Sequence, residues 1–270
     1  MGLILCEPME VAHPFYIKVL NLNIYSFEEL CYIIYENPIL ITLDIVNDDL
    51  VEFIENELKI EQLSTNIKKR MVNGAKPEDI LIYIIEYCDL YNNTESINFR
   101  NSISRLKKMP ESELLKYQGD YMFYIGKYNL SKEYYMQILK SDTKLENSFL
   151  GSVYHNIGVT YANLFLYKEA YNALKKSYEL NSDETVLMEI YFLKKIFYRD
   201  DDNNLEDMSL FNFELIKECE NTFQAAINGV GESSKLNEVE DIFNIEDKSL
   251  QKKRISKCIG DWKKEYRNMR

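Results

Sequence analysis

The sequence predicts an all-α protein built largely from paired helices. Three observations carry that expectation. Apolar residues recur at intervals of three and four along most of the chain, and no stretch sustains the period-two alternation of a half-buried strand. Only 9 Gly and 5 Pro occur in 270 residues, too little punctuation for a many-turned β-sandwich or a Gly-rich phosphate-binding fold. Finally, two stretches, one around Gly119 and one around Gly158, repeat each other at a fixed offset. With 46% hydrophobic residues the chain can bury a sizeable core, and its length fits one large domain or two ordinary ones.

Residues 1–25 are the least helical part. Val11-Ala12-His13-Pro14-Phe15 and Asn21-Leu22-Asn23-Ile24-Tyr25 read as short extended pieces or turns. Ser26-Phe27-Glu28-Glu29 then forms a capping box, in which Ser26 accepts from the amide three residues on and Glu29 reaches back. That helix runs to about Asn37, where Pro38 ends it, with Leu30, Ile33, Ile34 and Tyr35 as its apolar stripe. Asn47 or Asp48 opens the next, carrying Leu50, Phe53, Ile54 and Leu58 on one face. Another covers about 60–73 and closes at Gly74; Pro77-Glu78-Asp79 starts the following one, because proline fits a first turn and acids favour the positive helix end. From there helices of about 12–17 residues alternate with short connections as far as Tyr198. The organisation expected is a mostly helical irregular region over 1–75, a repeat array over 76–200 and a helical C-terminal cap over 208–270.

The internal repeat is the strongest signal. Leu115, Gln118-Gly119-Asp120, Phe123-Tyr124, Gly126, Tyr128, Ser131 and Tyr135 stand in register with Tyr154, Ile157-Gly158, Tyr161, Phe165, Tyr167, Ala170, Leu174 and Ser177. Each unit places a glycine mid-helix, an aromatic near the turn and a small residue early in the second helix. A mid-helix glycine costs about 1 kcal/mol against alanine, so two at equivalent positions need a reason. Close approach of a paired helix is that reason.

On these residues the chain resembles the tetratricopeptide (TPR) family of helix–turn–helix repeats of about 34 residues. The unit from Tyr154 to Ser182 follows the family pattern well, through Tyr167, Ala170, Leu174, Ser177 and Leu180-Asn181, although Ser182-Asp183 stands where the repeat commonly ends in proline. The unit near Ser112–Lys140 is a looser match. The stretch 78–110, ending in Met109-Pro110, and the stretch from Thr185 onwards match by spacing only. The first 75 residues resemble no family.

The resemblance implies a right-handed α–α superhelix whose first helices line a groove that holds a protein or peptide. Mapped by the motif, that face carries Lys116, Tyr117, Asp120, Phe123 and Tyr124 in one unit and His155, Asn156, Val159 and Asn163 in the next. A third unit would add Glu189, Ile190, Leu193 and Phe197. Gly119, Gly126, Tyr128, Gly158, Tyr161, Tyr167, Ala170 and Leu174 would pack the repeats together. The Lys/Asn/Arg set with which some members clamp a C-terminal carboxylate is missing, which favours apolar or aromatic recognition of a peptide or helix.

After Tyr198 comes the acidic stretch Asp200–Asp207, then a helix from about Ser209 to Asn228 closed by Gly229-Val230-Gly231. The last segment has the opposite charge: residues 248–270 hold nine Lys/Arg and two acids, a net +7 against −19 for the remainder. Its Ile255, Ile259, Trp262, Tyr266 and Met269 recur at helical spacing, so it reads either as an end cap over the last repeat or as a docking element for an acidic partner, nucleic acid or an anionic membrane.

Catalytic and metal signatures are missing from the sequence. No H-E-x-x-H, P-loop, G-x-G-x-x-G, G-x-S-x-G or EF-hand pattern occurs, and His13 and His155 are far apart. The Gly229-Val230-Gly231 run follows a helix rather than a strand, and nothing beyond sequence proximity links Cys6 to His13 as a nucleophile pair. The five cysteines are scattered with no C-x-x-C, which argues against a disulfide framework or a zinc site. A net charge of −12 argues against nucleic-acid binding except through the basic C-terminal helix. The N-terminal residues lack the pattern of a signal peptide, and no apolar run approaches the roughly 20 residues of a membrane span. The expectation is a non-catalytic, cytoplasmic binding scaffold or adaptor without cofactor or metal. Richness in Lys, Asn, Ile and Tyr suits an AT-rich bacterial genome. A peptide-sensing regulator of the bacterial TPR type is the alternative, and an enzyme with a site in 1–75 the remote one.

Overall fold

The computed structural model describes residues 11–43, 45–141, 144–197, 211–230 and 233–269, in two compact units, 1–114 and 115–270. Among the described residues are thirteen α-helices and one small hairpin.

In the first unit the two extended pieces become β1 (Phe15–Ile17) and β2 (Leu22–Ile24), an antiparallel hairpin with Phe15 opposite Ile24 and Ile17 opposite Leu22. Asn21 turns it with a φ of +54°, the left-handed region that asparagine tolerates. Ser26 caps α1 (Phe27–Glu36), its hydroxyl accepting from the Glu29 amide at 3.0 Å. Glu29 reaches back one residue further than a capping box requires, taking the Tyr25 amide at 2.7 Å.

A 3-10 turn over Pro38–Thr42 leads to α2 (Asp48–Glu52), capped by Asn47 and running into a single π turn at Phe53–Glu57. Then follow α3 (Glu61–Val72), α4 (Pro77–Tyr87, proline in its first turn) and α5 (Asn93–Lys108), the last with a complete Asn92–Glu95 capping box. Gly74, at φ +76°, makes the turn between α3 and α4 that a side chain would strain.

One core unites these elements: Leu30 and Ile34 of α1, Leu50 and Ile54, Leu63 and Ile67 of α3, Ile80 and Ile84 of α4, Phe99 and Ile103 of α5. Helices α4 and α5, whose spacing resembled a repeat, are thus partners of the N-terminal helices. The Lys107–Glu78 ion pair at 2.7 Å ties them to each other.

The second unit takes up α6 (Glu111–Tyr124) from Leu115 onwards and continues through α7 (Tyr128–Lys140), α8 (Asn147–Asn163), α9 (Tyr167–Asn181), α10 (Glu184–Phe197), α11 (Phe213–Val230), α12 (Ser234–Phe243) and α13 (Lys248–Met269). Neighbours in sequence pack on one another: α7 on α8, α8 on α9, α9 on α10, α10 on α11 and α12 on α13. The stretch Asp200–Asp207, Cys6, Gly231 and the side chains of Phe197 and Met269 lie outside the described residues.

A methyl group built on Gly119 would stand 2.5 Å from the Tyr135 ring, and one on Gly158 2.7 Å from Cγ and Cδ2 of Leu174. Tyr135 and Leu174 each follow their glycine by sixteen positions, so the two pairs are the same contact made twice. Gly151 makes a third close approach, against the side chain of Asn181, while its carbonyl accepts from Ser177 at 2.8 Å. Ala170 and Leu174 are buried, and Tyr161 packs half-buried beside them. Tyr128 and Tyr167 sit at the repeat turns, Tyr128 against Phe123 at 5.2 Å and Tyr167 edge-on to Phe165.

Gly126 does not pack. Nothing lies within 4 Å of where its Cβ would be, and its φ of +75° shows that it serves the α6–α7 turn. The corresponding residue of the next unit, Phe165, adopts φ +61° without glycine's freedom.

Candidate functional site

Three helices of the second unit bring the site together, α6, α8 and α10, with one side chain from α7. Lys116 and Asp120 are one turn apart on α6 and pair at 2.9 Å. The other Asp120 oxygen accepts from the Tyr135 hydroxyl and from the Asn156 amide, each at 2.7 Å. Asn156 Oδ1 lies 3.1 Å from His155 Nδ1, and His155 Nε2 lies 3.1 Å and 3.0 Å from the two Glu189 oxygens. The result is one chain of polar contacts, Lys116–Asp120–Asn156–His155–Glu189, crossing from α6 to α8 to α10, with Tyr135 reaching in from α7.

The protonation of this chain follows from its geometry. Because the Asn156 amide nitrogen donates to Asp120, its oxygen must face His155, so Nδ1 has to donate. Nε2 faces a carboxylate and has to donate as well. Both ring nitrogens thus face acceptors, an arrangement that favours the imidazolium form. The Glu189 carboxylate correspondingly raises the His155 pKa above the usual histidine value, outweighing partial burial, which acts the other way. Burial, followed by the bond to Asp120, pushes the Tyr135 hydroxyl above the ordinary tyrosine value, keeping it neutral and donating.

Asp120, Phe123, Tyr135, His155, Asn156 and Val159 enclose a concavity of about 240 Å³. That is space for one side chain, below the range of small-molecule and cofactor pockets. Its walls are apolar at Phe123 and Val159, and its polar groups are already satisfied by one another. Among the described residues no three His, Cys, Asp or Glu side chains are placed to hold a metal.

Several residues that the motif assigned to this face stand elsewhere. Leu193 and Ile190 are buried in the core that α9, α10 and α11 share, with Leu174 and Leu215, and present nothing to a partner. Asn163 turns its amide onto the Val159 carbonyl of its own helix. Tyr117 is partly exposed, and Tyr124 is almost fully so and outside the concavity. Tyr135 is the residue that the motif did not assign to the face. It occupies the register that Leu174 fills in the next unit, and a tyrosine at an aliphatic core position signals that its hydroxyl must find an acceptor.

A family profile for the tetratricopeptide repeat matches residues 151–184, which span α8, α9 and the entry to α10. No curated protein and no solved structure matches the chain. No described helix is long and apolar enough to cross a membrane. With helices packed in sequence order, glycine-mediated contacts recurring at a fixed offset, and a repeat that the profile identifies, the chain is an all-α, TPR-like helical repeat protein.

Proposed function

We propose that the chain is a non-catalytic scaffold that binds a peptide segment of another protein across α6, α8 and α10. A TPR repeat suggests a protein-interaction role in general. The observation that supports this particular face is the polar chain from Lys116 to Glu189, which links three alternate helices, α6, α8 and α10, beside one concavity. A bound segment would place a single aliphatic or aromatic side chain between Phe123 and Val159, while the flanking ion pairs select polar neighbours. The polar groups of the concavity hold one another in place, an arrangement that suits recognition.

A phage-displayed peptide library, selected against the wild-type chain and a Val159→Glu variant, tests the reading. Val159 is partly exposed at the rim, so the new carboxylate reaches water and need not unfold the helix. The expected result is enrichment, by the wild type only, of sequences with one recurrent apolar anchor. Equal enrichment by both chains, or none by the wild type, would refute this use of the face.

A further inference from the structure

The basic C-terminal helix has an assignment of its own, independent of the groove. At about 100° per residue, Ile255, Ile259, Trp262 and Tyr266 fall on one stripe of α13. Lys252, Lys263 and Arg267 run along one flank of the stripe, and Lys253, Lys257 and Lys264 occupy the opposite, polar face. The helix rests on α12, and Tyr266 comes within 6.5 Å of Phe165, yet the stripe is only half covered: Ile259 is 43% and Trp262 48% exposed. An end cap that buried the last repeat would hide these side chains, and one that balanced the acidic body would pair its cations. None of the six cations forms an ion pair or hydrogen bond among the described residues.

A ligand that uses both features has to be anionic and apolar at once. Nucleic acid would engage the lysines and leave the isoleucine and indole in water; an apolar protein surface would do the reverse. We propose that α13 is an interfacial docking surface for an anionic bilayer, with Ile259 and Trp262 entering the headgroup boundary and the lysine flank meeting lipid phosphates. The net charge of +7 over 248–270, set against −19 for the remainder, confines the contact to this helix, since the acidic body is repelled by the same surface. The helix lies in the plane of the interface and does not span it, its polar side being far too charged to enter hydrocarbon.

Trp262 is the only tryptophan in the chain, so its emission reports the contact directly. The full-length chain is mixed with vesicles of phosphatidylcholine alone, or containing about a third phosphatidylglycerol, and followed by co-sedimentation and fluorescence. The expected result is binding to the anionic vesicles only, with a blue-shifted emission. Lys252→Glu/Lys263→Glu/Arg267→Glu, all at exposed positions, should weaken binding about 100-fold or more while circular dichroism stays unchanged. Ile259→Ser should weaken it several-fold with the charge intact, which separates apolar insertion from electrostatic adsorption. Failure to bind anionic vesicles, or binding that leaves the emission and the Ile259→Ser variant indifferent, would overturn the proposal. So would a preference for a DNA duplex over the vesicles, or a blue shift that grows with protein concentration alone and marks a second copy as the occupant.

Discussion

Replacing Gly158 by alanine adds one methyl group to the middle of α8, and the surroundings of that methyl decide the sign of the effect. Intrinsic helix propensity favours the change by about 1 kcal/mol. Against it, the new Cβ would lie 2.7 Å from two carbons of Leu174 and 3.3 Å from the Ala170 carbonyl, and only the first neighbour can move by rotating. Leu174 is 2% exposed, so its rotation displaces other core atoms, and overpacking of this kind costs about 1–3 kcal/mol. With backbone also in the way the upper half of that range applies, leaving a net loss of about 1–2 kcal/mol. At the scaling for units of this size, that lowers the melting temperature by about 3–6 °C.

Gly260, mid-helix in α13 with nothing within 4 Å of its Cβ, is the matched control. There the same substitution should stabilise, by up to about 1 kcal/mol. Urea unfolding followed by circular dichroism reads both. Leu174→Ala supplies the cycle: the double variant Gly158→Ala/Leu174→Ala should cost at least about 1 kcal/mol less than the sum of the single changes, because the truncated leucine vacates the room the methyl needs. If Gly158→Ala proved neutral or stabilising like Gly260→Ala, the helix contact inferred for this repeat would be wrong.

Three further outcomes are expected. Tyr135→Phe removes a donor from Asp120 at an otherwise unchanged core position and should cost about 1–2 kcal/mol by urea unfolding, whereas a value near zero would mean that the hydroxyl bond to Asp120 contributes nothing. His155, whose folded pKa lies above its unfolded value of about 6.5, contributes stability that is fully present below that value and lost as pH rises through the folded one. Thermal stability should therefore fall more steeply above pH ~6.5 in the wild type than in His155→Gln, and parallel curves would refute the stabilising pairing of His155 with Glu189. Gly126→Ala, at φ +75° with open space around it, should destabilise by about 1 kcal/mol through backbone strain alone; an unchanged unfolding midpoint would show that the turn relaxes.

Much of the architecture was legible because it is set locally. Ser26, Asn47, Pro77 and Gly74 mark helix ends by chemistry that acts within a few residues, and the structure has helix boundaries at each. The periodicity of α8 and α9 identifies a repeat without reference to anything outside it. What was not legible depends on partners distant in sequence. Strands of three residues, like Phe15–Ile17 and Leu22–Ile24, are too short to display a period, and only the apposition of Phe15 with Ile24 makes them a sheet. Amphipathic helices such as α4 and α5 show which face is apolar but not what that face will meet, and here it meets α1, α2 and α3.

The candidate face divides in the same way. Helical spacing places Lys116 beside Asp120, but the link from Asp120 to Asn156 joins residues 36 positions apart and appears only in three dimensions. Leu193 shows the reverse failure. Its motif position lies on the ligand side of an ideal repeat, yet α11 contributes Leu215 and Cys219 to the same core, and Leu193 is drawn inward.

The pair α8–α9 is fastened near both ends, at Gly158 against Leu174 and the Ala170 carbonyl, and at Gly151 against Ser177 and Asn181. Such a pair behaves as a stiff beam: its helices can neither slide nor splay without breaking contacts that have no slack. A ligand larger than the resting concavity would have to be admitted by movement outside this pair, as at the glycine turn of Gly126 between α6 and α7 or at the left-handed residue Ser182 that ends α9. Any such movement leaves the beam itself intact, and the beam carries His155 and Asn156 together as one piece.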